Sequence, residues 1–314
     1  MTLKTTVTKP YSHQVSVIIP AYNASALIKP TLESVVNSTL TDFEVIVIDD
    51  GSSDNTFEVA SNIDPRIQVI RQKNAGMSAS RNKGIELSKG EFIALLDADD
   101  IWHPQKLEFQ VNALNSNSQF DFCFTEFTSW HGENNQDFSV SKRSASIEPS
   151  LTGWIYHKML LTNWALPSSV MFRKTAWDKL GSFICEDHQT DDWEYFVRAS
   201  KTCQFVKLKE SFVLYRQISS SLSRRVPEKN ATEIMRSTLI KRFGYTSPDG
   251  AEVDHKELSR RSYNGHSHFA DAHVARGKLS IGLKAFFQLL IKGPNRTKTM
   301  LTLLKSIFKR IKPV

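Results

Sequence analysis

The chain has 314 residues, of which 40% are hydrophobic and 23% charged. That is enough for a buried core of about 200 residues plus an appendage, and it excludes a disordered chain or a small disulfide-stapled domain. The formal charge of +7 is unevenly placed: residues 272–314 carry ten Lys or Arg and no Asp or Glu, so the rest of the chain is net acidic. A site for a polyanion would spread cations around its cleft, so the charge is assigned to the C-terminal appendage and no nucleic-acid partner is expected. Cys123, Cys185 and Cys203 are an odd number without metal-ligand spacing, which fits a reducing cytosol. The first residues lack an apolar stretch of signal-peptide length, and no run approaches the roughly 18 apolar residues that span a bilayer. A soluble or peripheral protein is expected.

The first half alternates apolar runs with helical patterns. "VSVIIP" (15–20), "FEVIVID" (43–49), "IQVIR" (67–71) and "EFIALLD" (91–97) read as strands buried on both faces. Helices are expected at about 24–37, 54–62, 77–88 and 104–116, with Ser53 or Asp54 capping the second and Pro104 in the first turn of the last. This alternation predicts a doubly wound α/β sheet, mostly parallel, with sites at the carboxyl ends of its strands. "DFCFTEF" (121–127), "SSVMFRK" (168–174) and "CQFVKLKESFVLY" (203–215) add strands, and a helix should carry "DDWEYFVRAS" (191–200). The polar stretch 128–150 is expected to be a mobile loop, and the chain beyond Arg225 to be helical to its end. No internal repeat is present.

Chemistry concentrates in "LLDADD" (95–100), where an apolar strand ends in Asp97, Asp99 and Asp100. If the extension continues, alternation puts Asp97 and Asp99 on one side. Such a cluster is costly without a cation or donors, and its hard oxygens suit Mg²⁺ or Mn²⁺. The plainer reading is a turn that caps the next helix. A second pair, Asp49 and Asp50, ends another strand ahead of Gly51; it can accept from a base or a ribose, or can simply cap a turn. In "NAGMSASRNKG" (74–84), Arg81 can pair with a diphosphate or orient a carboxylate, whereas Lys83 reads as solvated helix surface.

In order and spacing, "VSVIIPAYN", "VIVIDDGSSDNT", "NAGMSASRNKG" and "GEFIALLDADDIWHPQKLE" resemble the family 2 inverting glycosyltransferases of the GT-A fold, closely over about 13–110 and more loosely to about 225. The resemblance implies that Pro20, Ala21, Tyr22 and Asn23 line a nucleoside pocket, that Asp50 contacts the base of a UDP-like nucleotide, and that Arg81 lies near it. It makes Asp97 and Asp99 the Asp-x-Asp element, with Asp99 the direct ligand of Mn²⁺ or Mg²⁺. "TDDWEYF" (190–196) matches the family's acidic pair with Asp191 in the Glu place, which makes Asp192 the catalytic base. A carboxylate opposite the leaving group can take the proton of a sugar hydroxyl, and a helix N-terminus stabilises its charge; the alternative is an N-cap pair. Glu186 and His188 are nearby, but the family pattern does not favour them. "LYRQISSSLSRR" (214–225) resembles the Tyr-Arg loop over the donor phosphates. Ile218 stands where many relatives have His, and Arg216, with Arg224 and Arg225, is left to meet phosphate; a basic linker is the plainer reading of the last two.

The expected reaction is a single displacement from a nucleotide-diphosphate sugar onto a saccharide or lipid-linked hydroxyl, with inversion. The expected layout is an arm (1–12), a catalytic domain (13–225, with halves at about 13–110 and 111–225) and a helical region (226–314). A sugar-1-phosphate nucleotidyltransferase would show a Gly-rich basic loop after the first strand, and "IPAYNASALIKP" (19–30) has none. A dinucleotide oxidoreductase would need G-x-G-x-x-G. A non-catalytic binding protein of the same fold would have little reason to keep Asp97, Asp99 and Asp192. His255, His266, His268 and His273 read as ordinary helix residues rather than zinc ligands. In 298–312, Met300, Leu301, Leu303, Leu304, Ile307, Phe308 and Ile311 share an arc of roughly 160°, with Lys298, Lys305, Lys309, Lys312, Thr302 and Ser306 opposite. That helix either meets an anionic membrane, placing the protein on the inner face of the cell membrane, or packs its apolar arc on the core.

Overall fold

The apolar runs become strands because β-branched side chains fill both faces of a pleated sheet. A computed structural model describes residues 11–131, 144–185, 190–217, 226–293 and 295–311. In chain order the elements are β1 (His13–Ala21), α1 (Ile28–Val36), β2 (Phe43–Asp49), α2 (Thr56–Ser61), β3 (Ile67–Arg71), α3 (Met77–Leu87), β4 (Gly90–Leu95), β5 (Ile101–Trp102), α4 (Lys106–Ser116), β6 (Phe120–Trp130), α5 (Tyr156–Met159), β7 (Val170–Arg173), α6 (Lys174–Leu180), α7 (Asp191–Ala199), β8 (Gln204–Arg216), α8 (Ala231–Phe243), α9 (His255–Arg276), α10 (Leu279–Lys292) and α11 (Arg296–Ile311). Two compact units emerge: Met1–Ile155 with Trp164–Ile218, and Tyr156–Asn163 with Ser219–Val314.

The first unit holds one mixed sheet, ordered β3-β2-β1-β4-β7-β6-β8-β5. Strands β1 to β4 pair in parallel, β7 runs antiparallel to β4 and β6, and β8 returns parallel to β6. Helix α1 buries Ile28, Thr31, Leu32 and Val35, one face at helical spacing. Helix α3 lies close on β1: a Cβ at Gly84 would sit 2.5 Å from Ile18 Cγ2, so only glycine fits there. Strands β2 and β3 coincide with their expected bounds.

Several elements differ from expectation. Strand β4 stops at Leu95, two residues early, because a turn closes with Asp100 N donating to Asp97 O at 3.2 Å. The alternation expected to put Asp97 and Asp99 on one side therefore does not apply. Residues Pro167–Ser169 form a single helical turn ahead of β7, since Pro167 lacks the donor a strand needs. Helix α2 starts at Thr56 with Asn55 in the cap position, although Asp54 Oδ1 accepts from Thr56 N at 3.0 Å. The stretch 128–150 is partly ordered: β6 runs through to Trp130, and Ile147 bridges Leu208, while 132–143 lie outside the described residues.

At the start of α4, the buried Lys106 Nζ donates to Gln110 Oε1 at 2.7 Å and lies 3.8 Å from the Trp102 ring centroid. Burial pushes this ammonium down to about 7. The unfolded chain holds the proton up to about pH 10, so wild-type stability should rise with pH between about 7 and 10. Lys106→Met is expected to flatten that slope and to add about 1 kcal/mol near pH 7. Urea midpoints at about pH 7 and about pH 9 check it; a wild-type midpoint unchanged between them would refute the proton release.

In the second unit, Tyr263, Ala270, Val274, Phe286 and Leu289 form a small core among α9 and α10. Asp254 caps α9, accepting from Lys256 N and Glu257 N. Segment 156–163, expected within the acceptor half, belongs to this unit: Tyr156 Oη donates to Gly244 O at 2.6 Å. The chain after Arg225 is not helical throughout, because a turn with a Thr246–Glu252 bridge separates α8 from α9. His255, His266, His268 and His273 all lie on α9, and His273 Nε2 meets Pro227 O at 2.9 Å.

Candidate active site

The carboxyl ends of β1, β2 and β4 gather the conspicuous motifs of the nucleotide half. Pro20 and Ala21 are buried at the end of β1, and Tyr22 beyond them is 56% exposed. Asn23 takes a left-handed φ of +49°, which asparagine tolerates, and its Oδ1 accepts from Ser53 N at 2.8 Å. Its own N–H donates to Ser52 Oγ, so the loops after β1 and β2 are joined. Gly51 must be glycine: its φ is +76°, and a Cβ would lie 2.9 Å from Asn74 N.

Asp50 is committed to the protein itself. Its Oδ1 accepts from Gln72 Nε2 and Ala75 N, and its Oδ2 from Gly76 N, at 2.7–2.9 Å. The carboxylate therefore shapes the loop leading into α3 and faces that helix's N-terminus, where negative charge is favoured. Any contact with a base would be additional to these three bonds. Lys83, read as solvated surface, is half-buried.

The three aspartates after β4 separate by role. Asp100 is buried; its Oδ2 accepts from Ser168 Oγ at 2.5 Å and its Oδ1 from Arg216 N at 3.0 Å. Burial, with Asp97 and Asp99 adding repulsion, holds its carboxyl well above the usual range. It is a structural post rather than a helix cap. Asp97 Oδ1 accepts from Arg81 Nη2 at 2.6 Å, an ion pair whose Arg is 3% exposed. Asp99 is half-buried, and its carboxyl receives no side-chain donor among the described residues. Burial, reinforced by Asp97, pushes it up to about 6. The hard carboxylate oxygens of Asp97 and Asp99 are of the type that divalent cations take, although no group of three or more His, Cys, Asp or Glu that could hold one is present among the described residues.

Across the sheet, α7 brings the acidic pair of the acceptor half to the same place. Asp191 is buried and accepts from Ser78 Oγ at 2.8 Å, tying the start of α7 to the start of α3. Asp192 is half-buried, with its Oδ1 accepting from Trp193 N at 2.7 Å. Burial and Asp97 push its carboxyl up, while the Arg81 charge draws it down. Arg81 thus pairs with Asp97 and acts on Asp192, and its Nε is buried without a partner among the described residues.

Arg216, expected to meet phosphate, donates from Nε to Asp99 O at 2.7 Å and stacks 4.1 Å from the Trp130 ring centroid. Burial lowers its pKa against the pull of Asp99 and Asp100. Glu186, His188, Ile218, Arg224 and Arg225 lie outside the described residues. Two organising residues carried no signal in the sequence. Ser168 accepts from Asp97 N at 3.0 Å, donates to Asp100, and accepts on its carbonyl from Trp102 Nε1 at 2.7 Å. Ser78 is the other. Both act on partners at least 66 positions away, and serine is commonplace.

A mixed sheet with an acidic turn at the end of its central strand β4, a buried Arg paired to it and an acidic helix start nearby is the plan of an α/β transferase. Residues 16–169 match glycosyl transferase family 2, and this part of the chain belongs to that family. The chain is 31% identical over 202 residues to an uncharacterized glycosyltransferase of Rickettsia typhi, covering 60% of each chain. It is 42% identical over 106 residues to the Escherichia coli UDP-Glc:alpha-D-GlcNAc-diphosphoundecaprenol beta-1,3-glucosyltransferase WfgD, covering 33% of this chain and 42% of that one. The chain thus spans about three fifths of the length of the first of these relatives and less of the second. Among solved structures, Staphylococcus aureus TarS 1–349 in complex with UDP-GlcNAc aligns with a TM-score of 0.64 at 18% identity, over 95% of this chain and 89% of that one. The Pyrobaculum calidifontis mannosyltransferase PcManGT, in complex with GDP-Man and Mn²⁺, aligns at 0.55 and 19%, over 98% and 90%. These two likenesses show the GT-A fold.

Proposed function

We propose that this protein is an inverting glycosyltransferase that moves a sugar from a UDP-sugar to an acceptor hydroxyl, in the cytoplasm, during synthesis of a cell-surface polysaccharide or glycolipid. The observation that carries this reading is the convergence of Asp97 and Asp192 on Arg81, with Asp99 beside Asp97. The TarS complex with UDP-GlcNAc supports the donor class, and the likeness to WfgD supports a saccharide acceptor carried on a lipid diphosphate.

In this mechanism Pro20, Ala21, Tyr22 and Asn23 line the nucleoside end, with Asp50 holding the loop beneath it. Asp99, with Asp97 beside it, would hold Mn²⁺ or Mg²⁺, which supplies charge neutralisation for a diphosphate leaving group. Arg81 fixes Asp97 and keeps Asp192 ionised in a buried setting. Arg216 braces the Asp99 backbone and leaves its outer amino groups for a phosphate oxygen. Asp192 takes the proton of the incoming hydroxyl at one carboxylate oxygen as the new glycosidic bond forms at the anomeric carbon and the bond to the diphosphate breaks.

The test is a donor screen. UDP-sugars are incubated with the protein and Mn²⁺ or Mg²⁺, and free UDP is measured with and without undecaprenyl-diphosphate saccharides. Release of UDP from one sugar donor, suppressed by chelator, is expected. Pyrophosphate release from UTP and a sugar 1-phosphate would instead indicate a nucleotidyltransferase. UDP binding without turnover of any donor or acceptor would leave a non-catalytic protein.

A further inference from the structure

The amphipathic C-terminal helix is packed the opposite way round from a core helix. Its polar stripe faces inward: Thr299 and Ser306 are fully buried against α9. Thr299 Oγ1 lies 2.7 Å from Tyr263 Oη, Ser306 Oγ donates to Asp271, and Arg310 Nη1 donates to Val274 O at 3.0 Å. Of the apolar arc, only Leu303 packs against the small core. Met300, Leu301, Leu304, Ile307, Phe308 and Ile311 remain exposed, Phe308 by 61% and Ile311 by 72%. Helix α10 packs its apolar side inward, as a core helix does, but it too carries a second apolar stripe on its outer side. It turns Gly282, Phe286 and Leu289 inward and leaves Leu283, Phe287 and Ile291 as an outward stripe at four-residue spacing, Phe287 64% exposed.

We infer that the outward faces of α10 and α11 form a surface that enters the headgroup layer of an anionic membrane. Exposed apolar stripes on two consecutive helices are costly in water and mark an interaction surface. The charge selects the partner. No acidic residue occurs in 272–314, and Lys284, Lys298 and Lys305 are exposed beside the apolar stripes. Two copies of such a face would bring like charges together, whereas an anionic bilayer offers both an apolar interior and opposite charge. The helices would lie in the membrane plane: α11, with 16 residues, is about 24 Å long, and no described helix is long and apolar enough to cross a bilayer. Sugar transfer is not needed for this surface to act, so its test is separate from the donor screen.

The experiment is co-sedimentation of the full chain with vesicles of phosphatidylcholine alone, or of phosphatidylcholine and phosphatidylglycerol in equal parts. Binding is expected to favour the anionic vesicles by about tenfold or more and to weaken as added salt shortens the Debye length. A Phe287→Ser, Ile311→Ser double variant should lose binding by about tenfold or more, with its thermal midpoint and UDP release from donor unchanged, since both side chains are exposed. A wild-type chain that ignores both vesicles overturns the inference, as does a double variant that binds like wild type. A concentration-dependent dimer that the double variant abolishes, with no vesicle binding, would assign the face to a second copy.

Discussion

Asp192→Asn is expected to slow sugar transfer by about 10² or more, the usual effect of removing a positioned base. The amide keeps the shape of the side chain and the start of α7, where Asp191 holds Ser78, so the fold should survive. Donor affinity should change little, because the role assigned to Asp192 is toward the acceptor. The pH profile gives an independent readout. Burial raises the carboxyl, and the base works only when ionised. Activity should therefore fall with acidification at a pH above the ordinary aspartate value of about 3.9, and the residual activity of the variant should lack that limb. Loss of nucleotide binding with normal turnover per bound donor would move Asp192 to the donor site.

Asp99→Asn is expected to abolish transfer, with circular dichroism and thermal midpoint close to wild type. The side chain is half-buried and takes no donor from another side chain among the described residues, so its loss removes charge rather than a structural bond. The structural bonds of this turn belong to Asp100 and Ser168 instead. Titration of Mn²⁺ in the presence of UDP should show binding to wild type and a loss of about tenfold or more in the variant. Full activity of the variant in excess chelator would refute a metal role for Asp99.

Local pattern made β2 and β3 readable to the residue, because each is an apolar run closed by turn-forming residues. The same logic brought Asp97 and Asp99 forward as candidates, since charge at the end of an apolar strand stands out, and Arg81 as a cation in a Gly- and Ser-containing segment; Asp192 came forward through the resemblance to the family's acidic pair. What escaped depends on distant partners. Nothing near Ser168 indicates that it braces a turn 68 to 71 positions earlier. Arg216 was expected at phosphate, but its contact with the Trp130 ring follows from β6 running on beyond Phe127 beside β8, which no local pattern announces. The helical wheel identified which residues of α11 share a face. It could not say which face turns inward, because that was decided by Tyr263 and Asp271 on α9 offering hydroxyl and carboxylate partners to Thr299 and Ser306.

The bracing of the acidic turn also bears on biosynthesis. Asp97 and Asp100 leave the ribosome well before Ser168, and Ser168 before the Arg216 backbone that completes the Asp100 bonds. A nascent chain ending near residue 110 would carry Asp97 with its partner Arg81, yet Asp100 would lack both Ser168 and Arg216, which make it the post of the turn. The sorted arrangement of the acidic turn should therefore arise late in translation, after β8 has joined β6.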